Sequence, residues 1–183
     1  MRVVGICGSL RAGSFNRALL EAAAAELPAG VEFHEWTGLE TLPAYDADVD
    51  GRFAEPAVAR LRRTLATADA VVIATPEYNA SIPGALKNAL DWASRPFPDN
   101  CLRGKPVAVI GASTGLFGAI WAQAELRKVL STVARPCSTR SSRCLPLRPR
   151  SPRTAGFAIP RWRRRFERSC ATWSTGRSHS PRD

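Results

Sequence analysis

The chain has 183 residues, of which 45% are hydrophobic, and a formal net charge of +10. This length allows one domain with a sizeable core, and the few apolar residues before the first glycine-rich loop are too short a run for a signal peptide or a membrane span. Five cysteines without regular spacing exclude a disulfide framework. We therefore expect a soluble, cytoplasmic protein, in which Cys7 and Cys101 are ordinary small side chains.

The positive charge is confined to the last quarter of the chain. Residues 1–134 hold 13 Lys and Arg against 14 Asp and Glu, whereas residues 135–183 hold 13 Arg, no Lys and 2 acidic residues. The average charge therefore describes neither part. The sequence predicts a folded domain over residues 1–134 and a basic tail rich in Arg, Pro and Ser over residues 135–183.

Residues 1–134 alternate between strand and helix patterns. The continuous apolar runs VVGI, AVVIA and VAVIG are typical of strands covered on both faces. Strands that alternate with helices predict a parallel sheet with helices on both sides. In chain order, the predicted elements are a strand over 2–7, a helix over 15–27, a strand over 31–36, a helix over 56–68, a strand over 69–75, a helix over 83–93, a strand over 105–113 and a helix over 119–133.

Ligands of such sheets bind at the carboxyl ends of the strands, and three segments with unusual chemistry leave those ends. The first is GSLRAGSFN, residues 8–16. At a helix start, backbone N–H groups and the helix dipole favour an anion, and Ser9, Arg11, Ser14 and Asn16 are candidate phosphate ligands. The segment matches neither GxxxxGK nor GxGxxG. The alternative interpretation is a plain helix cap beside a solvated arginine.

The second segment is TPEYNASIPGALKNALDW, residues 75–92, and the third is GASTGLFG, residues 111–118. Tyr78 offers a flat face to an aromatic ring, and the backbone beside it offers hydrogen bonds to the edge of a heterocycle. The alternative is a turn bounded by Pro76 and Pro83 whose tyrosine packs on the domain surface. In the third segment, glycines permit close approach of a ligand to the backbone.

Together, GSLRAGSFN, PEYNASIPGALKNALDW and GASTGLFGAIWAQAELRKVL resemble the NADPH-dependent FMN reductase family, which includes quinone, chromate and azo-compound reductases. The resemblance runs from residue 1 to about residue 130. It implies a flavodoxin-like α/β fold, a doubly wound parallel sheet of order 2-1-3-4-5. It also implies an FMN-dependent oxidoreductase that passes a hydride from NADPH or NADH to FMN and electrons on to a quinone-like or other small acceptor, with the chemistry supplied by the cofactor.

The resemblance further implies a homodimer or homotetramer with the flavin close to a subunit interface, and no catalytic side chain or metal ion. The residues that it assigns to FMN fall into three groups. They are Ser9, Arg11, Ser14 and Asn16 around the phosphate, Pro76, Glu77, Tyr78 and Asn79 along the isoalloxazine ring, and Ser113, Thr114 and Gly115 beside the flavin.

Residues 135–183 do not supply the fifth strand and closing helix that this sheet order requires. A basic tail that contains tryptophan suits nucleic-acid binding, which makes a nucleic-acid-associated protein one alternative function, and a non-catalytic remnant of a reductase is another. The spacings of Cys137, Cys144 and Cys170, 7 and 26 residues, match no zinc site.

A frameshift explains the composition of the tail better than nucleic-acid binding or a metal site does. When each codon is read from its third base, with G or C at free third positions, residues 135–147 permit PVLDAELAVPAA and residues 153–174 permit DGRLRDPALAAALRALVRDLV. The first string has the pattern of a strand and loop, and the second that of a helix with proline near its start. We interpret residues 135–183 as a frameshifted version of the family's last strand and helix, which predicts that these two elements are missing or disordered.

Overall fold

The computed structural model describes residues 1–50 and 55–134. All expectations about the tail, including its origin and the missing or disordered fifth strand and last helix, lie outside the described residues. The eight predicted elements of residues 1–134 are all present, and their ends differ from the predicted ones by three residues at most. They are β1 (Arg2–Cys7), α1 (Phe15–Ala25), β2 (Glu32–Trp36), α2 (Pro56–Ala66), β3 (Ala70–Ala74), α3 (Gly84–Ala93), β4 (Val107–Ile110) and α4 (Ile120–Val133).

The described strands form one parallel sheet of order β2-β1-β3-β4. This order matches the first four positions of the expected 2-1-3-4-5 and confirms the flavodoxin-like α/β fold. The 3-10 turn at Leu39–Thr41 is an element that the sequence did not predict. None of the described helices is both long and apolar enough to cross a membrane.

The apolar pattern of the sequence accounts for the layers. All five residues of β3 are buried, as are five of the six residues of β1, so the two central strands are covered on both faces. On α2, the predicted apolar positions Val58, Leu61 and Leu65 are all buried, which is the spacing of one helix face turned to the sheet. On α4, Ala122, Leu126 and Leu130 form the matching stripe.

A close contact joins β1 and β2. A Cβ atom placed on Gly5 would lie 2.4 Å from Cζ of Phe33 and 3.2 Å from Cδ1 of Leu20. The aromatic ring therefore fills the space above the glycine, and a larger residue at position 5 would have to displace it.

Candidate functional site

The three predicted segments meet at one edge of the sheet, because parallel strands end on the same side. Hydrogen bonds tie the loops to their neighbours where they leave the strands. The Gly8 N–H donates to the Ala74 carbonyl (2.7 Å), and the Thr75 N–H donates to the Ile110 carbonyl (2.9 Å). We call residues 8–16 the first loop, 75–83 the second and 111–118 the third.

In the first loop, two buried serines bind the local backbone. Ser14 is the N-cap of α1, and its Oγ accepts from the N–H groups of Asn16 (3.2 Å) and Arg17 (3.3 Å). The Oγ of Ser9 accepts from the Arg11 N–H at 3.4 Å. The capping interpretation therefore holds for Ser14. The Ser9 O–H remains as a donor, since its hydrogen bond uses a lone pair, whereas the Ser14 hydroxyl also contacts Cys7 Sγ at 3.9 Å.

The first loop also presents a row of backbone donors. No hydrogen bond within residues 1–50 and 55–134 uses the N–H of Leu10, Ala12, Gly13, Ser14 or Phe15. Arg11 is exposed, and its guanidinium makes no hydrogen bond or ion pair with the described residues. Several N–H groups, a guanidinium and a helix N-terminus in one loop suit a phosphate monoester, so this part of the site fits FMN.

Asn16 is turned toward the third loop. Its side chain is buried; Nδ2 donates to the Ala112 carbonyl (2.9 Å), and Oδ1 accepts from the Ala112 N–H (2.8 Å). In the same loop, Ser113 is half-buried and accepts from the Gly115 N–H at 3.0 Å, while Thr114 is exposed. The structure thus brings the first and third groups of expected ligands together, with the amide of Asn16 as the link.

Glu77, in the second loop, caps α4. Its Oε2 accepts from the backbone N–H groups of Trp121 (2.9 Å) and Ala122 (3.0 Å). Ala119, the N-cap residue, has left-handed geometry and provides no side-chain cap. A carboxylate at this position satisfies two N–H groups at the helix start and complements the helix dipole.

Tyr78 begins a two-residue hairpin. Asn79 and Ala80 have φ values of 52° and 59°, and Tyr78 and Ser81 exchange backbone hydrogen bonds of 3.1 and 3.0 Å. Positive φ at both central residues is the signature of a type I′ turn. Tyr78 is 48% exposed, so its side chain is accessible for stacking, whereas Pro76 is buried at the start of the loop.

Two features of the site were not predicted from the sequence. A cavity of about 130 Å³ lies beside Ser9, with part of its wall formed by residues 36–40. Gly111 lets the end of β4 pack against the second loop, because a Cβ there would lie 2.8 Å from the Thr75 carbonyl oxygen. Both depend on contacts between distant segments, which the sequence did not reveal.

Neither described cysteine has the character of a nucleophile. Cys7 is buried and donates weakly to the Ser9 carbonyl (3.6 Å). Burial raises the pKa of the Cys101 thiol to about 11, which keeps it protonated at neutral pH. Within the described residues, no group of three or more His, Cys, Asp or Glu side chains is placed to hold a metal ion.

Comparisons with known proteins identify the family of this chain. The family model of NADPH-dependent FMN reductases matches residues 1–142. The chain is 48% identical over 130 residues to an NAD(P)H-dependent FMN reductase of Pseudomonas aeruginosa, a match that covers 71% of this chain and 69% of that protein. It is 45% identical over 129 residues to a 2-hydroxy-1,4-benzoquinone reductase of a Burkholderia species, covering 70% and 69% of the two chains.

Among solved structures, a flavoenzyme NAD(P)H:(acceptor) oxidoreductase from Paracoccus denitrificans superposes with a TM-score of 0.71 at 40% identity, over 78% of each chain. The family match, the sequence identities and the fold agree with one another. The chain belongs to the NADPH-dependent FMN reductase family and is an FMN- and NAD(P)H-dependent oxidoreductase.

Proposed function

We propose that this oxidoreductase delivers electrons from NADPH or NADH to quinone-like or other small acceptors. The row of backbone donors beside Arg11 is the observation that carries the flavin part of the proposal. The acceptor class is supported by the Burkholderia relative, which is named for a benzoquinone substrate. FMN, when bound, would supply the redox chemistry between NAD(P)H and the acceptor, and the loops would supply its binding, orientation and electrostatics.

We assign the flavin contacts by group. The N–H groups of the first loop, the guanidinium of Arg11 and the O–H groups of Ser9 and Ser14 hold the phosphate. The backbone of residues 76–79 and the exposed ring of Tyr78 line the isoalloxazine, and Ser113, Thr114 and Gly115 lie beside it. The support is that all three loops leave the same edge of the sheet, with donors and an aromatic face unoccupied by other described residues.

The test uses the full chain, purified and loaded with FMN. We expect a yellow protein that oxidises NADPH or NADH when 1,4-benzoquinone is present. Arg11→Ala is expected to weaken FMN binding by roughly 10-fold or more, because it removes a charge-assisted hydrogen bond. Arg103→Ala, at an exposed arginine that donates to the Pro98 carbonyl, is the matched control. A colourless protein retained on DNA in a salt-dependent way would instead favour the nucleic-acid alternative.

We also propose that the protein assembles as a homodimer or homotetramer. Four large apolar side chains in the third loop and at the start of α4 are exposed: Leu116 (80%), Phe117 (57%), Ile120 (45%) and Trp121 (47%). Contiguous exposed apolar surface marks interaction sites, and this surface adjoins the proposed flavin site. Sedimentation equilibrium of the FMN-loaded chain tests the assembly, and a monomer at micromolar concentration contradicts it.

For the remainder of the chain, we propose that residues 135–183 are an out-of-frame reading of the family's last strand and helix. The relatives support this, because their matches extend over only 130 and 129 residues and cover 69% of their own lengths. Sequencing the gene tests it, since a single clean frame across these codons with no coding alternative would refute it.

We also propose a cytoplasmic location, supported by the free thiols of Cys7 and Cys101.

A further inference from the structure

Two residues that the resemblance assigned to the flavin, Asn16 and Glu77, have side chains bound to the protein's own backbone. We propose that Asn16 and Glu77 are positioning residues, which hold the three loops in their binding arrangement without contacting the flavin through their side chains. The inference rests on the proposed FMN site, since it concerns how that site is kept in shape.

The first link joins the first and third loops. Asn16 is 3% exposed, and its amide makes a reciprocal pair of hydrogen bonds with the backbone of Ala112, 96 residues away. This pairing resembles one rung of a strand ladder, in which one residue satisfies both polar groups of its partner. Removing the amide leaves the Ala112 N–H and C=O, both buried, without this partner. The third loop then has to shift or admit water.

The second link joins the second loop to α4. Ala119 offers no side chain to cap this helix, and Oε2 of Glu77 takes the N–H groups of Trp121 and Ala122. The cap therefore comes from a segment more than 40 residues away in sequence. Because Glu77 lies next to Tyr78, the same contact fixes the start of the hairpin that presents the phenol ring.

Together, the two links connect the first loop to the third and the second loop to the helix that follows the third. Each loop carries different proposed flavin contacts: Arg11 in the first, Tyr78 in the second and Ser113 in the third. When one link is cut, contacts from other loops are displaced as well. We therefore expect the loss of either link to weaken the binding of the whole flavin, and not only the contacts to one of its groups.

The experiment compares FMN with riboflavin, which lacks the phosphate. Dissociation constants for both are measured by fluorescence titration of the full chain and of N16A, E77A and R11A. We expect N16A and E77A to weaken the binding of FMN and of riboflavin by the same factor, on the order of 10-fold. R11A should weaken the binding of FMN and leave the binding of riboflavin unchanged. The variant E77Q keeps an oxygen acceptor and should recover most of the E77A loss, while Glu21→Ala, on an exposed helix position, serves as the control.

A second measurement does not depend on flavin. Hydrogen exchange of the flavin-free protein should show a faster Ala112 amide in N16A, and faster Trp121 and Ala122 amides in E77A. Selective loss of FMN in N16A would make Asn16 a phosphate ligand and overturn the inference for it. Unchanged binding and exchange in both variants would overturn it for both. If R11A weakens both flavins equally, the phosphate assignment fails instead, and the exchange data still decide the positioning role.

Discussion

The two outer strands of the described sheet have opposite characters. Along β2, the polar residues Glu32 and His34 are exposed, Phe33 and Glu35 on the alternate positions are half-buried, and only Trp36, at the end of the strand, is buried. In β4, all four residues, VAVI, are apolar, and all are half-buried. A polar, alternating strand suits the edge of a sheet, whereas an apolar edge invites pairing with another strand. The sequence of β4 is that of an interior strand, although β3 is its only partner among the described residues.

This difference bears on the proposed frameshift. Of the two outer strands, only β4 has the composition that calls for a further neighbour, and the sheet order 2-1-3-4-5 puts the next strand beside it. The alternative frame of residues 135–147 permits PVLDAELAV, which has the pattern of a short strand and loop. The proposal therefore predicts changes that concern β4 and leave β2 untouched.

The largest expected effect comes from restoring the frame. A variant in which one inserted base within codons 131–134 changes the reading of all later codons should be more stable to urea by about 4 kcal/mol. This estimate takes about 1 kcal/mol for each half-buried β4 side chain that becomes fully covered. Hydrogen exchange should slow at Val107–Ile110 and stay the same at Glu32–Trp36.

The control for this experiment is the restored chain with the residues of its PVLDAELAV segment in scrambled order. It keeps the composition and length but loses the strand pattern, so it should recover little of the added stability. Equal stability and equal exchange at β4 in the original and restored chains would refute the frameshift proposal.

A smaller effect is expected at the contact between β1 and β2. In Gly5→Ala, the new Cβ would overlap the ring of Phe33, and we expect a loss of about 1–3 kcal/mol in the free energy of unfolding. Adding Phe33→Leu to the same chain should return part of that loss, because the smaller side chain vacates the space.

Gly84→Ala is the matched control, since a Cβ on Gly84 has no atom within 4 Å. Urea denaturation measures all of these variants. If Gly5→Ala lowers the free energy of unfolding no more than Gly84→Ala does, the close contact between Phe33 on β2 and Gly5 on β1 is contradicted. Restoring the frame should not change the cost of Gly5→Ala, because the contact between β1 and β2 lies at the opposite edge of the sheet from β4.

Much of the fold was predictable because it depends on local patterns. Uninterrupted apolar runs identified β1, β3 and β4, and helical spacing of Val58, Leu61 and Leu65 identified the buried face of α2. The edge of the sheet that carries the site followed from the parallel order. The directions of individual side chains did not follow, because Asn16 and Glu77 find their partners 96 and more than 40 residues away. Composition alone does not distinguish a ligand from a link between loops.

The smallest effect compares one substitution on each outer strand. Val109→Thr keeps the side-chain shape and adds a hydroxyl, whose burial without a partner costs about 1–3 kcal/mol. In the present chain Val109 is half-buried, so water still reaches the hydroxyl and we expect a loss of only about 0.5 kcal/mol. In the frame-restored chain a fifth strand and helix would cover this position, and the loss should rise by about 1 kcal/mol.

The control is His34→Thr, at an exposed β2 position, which should cost the same in both chains. Urea denaturation measures the cost of Val109→Thr in each chain. The difference between the two costs shows whether the restored segment covers β4, independently of any general gain in stability. An equal cost in both chains would mean that the restored segment does not pack against β4, even if the restored protein is more stable overall.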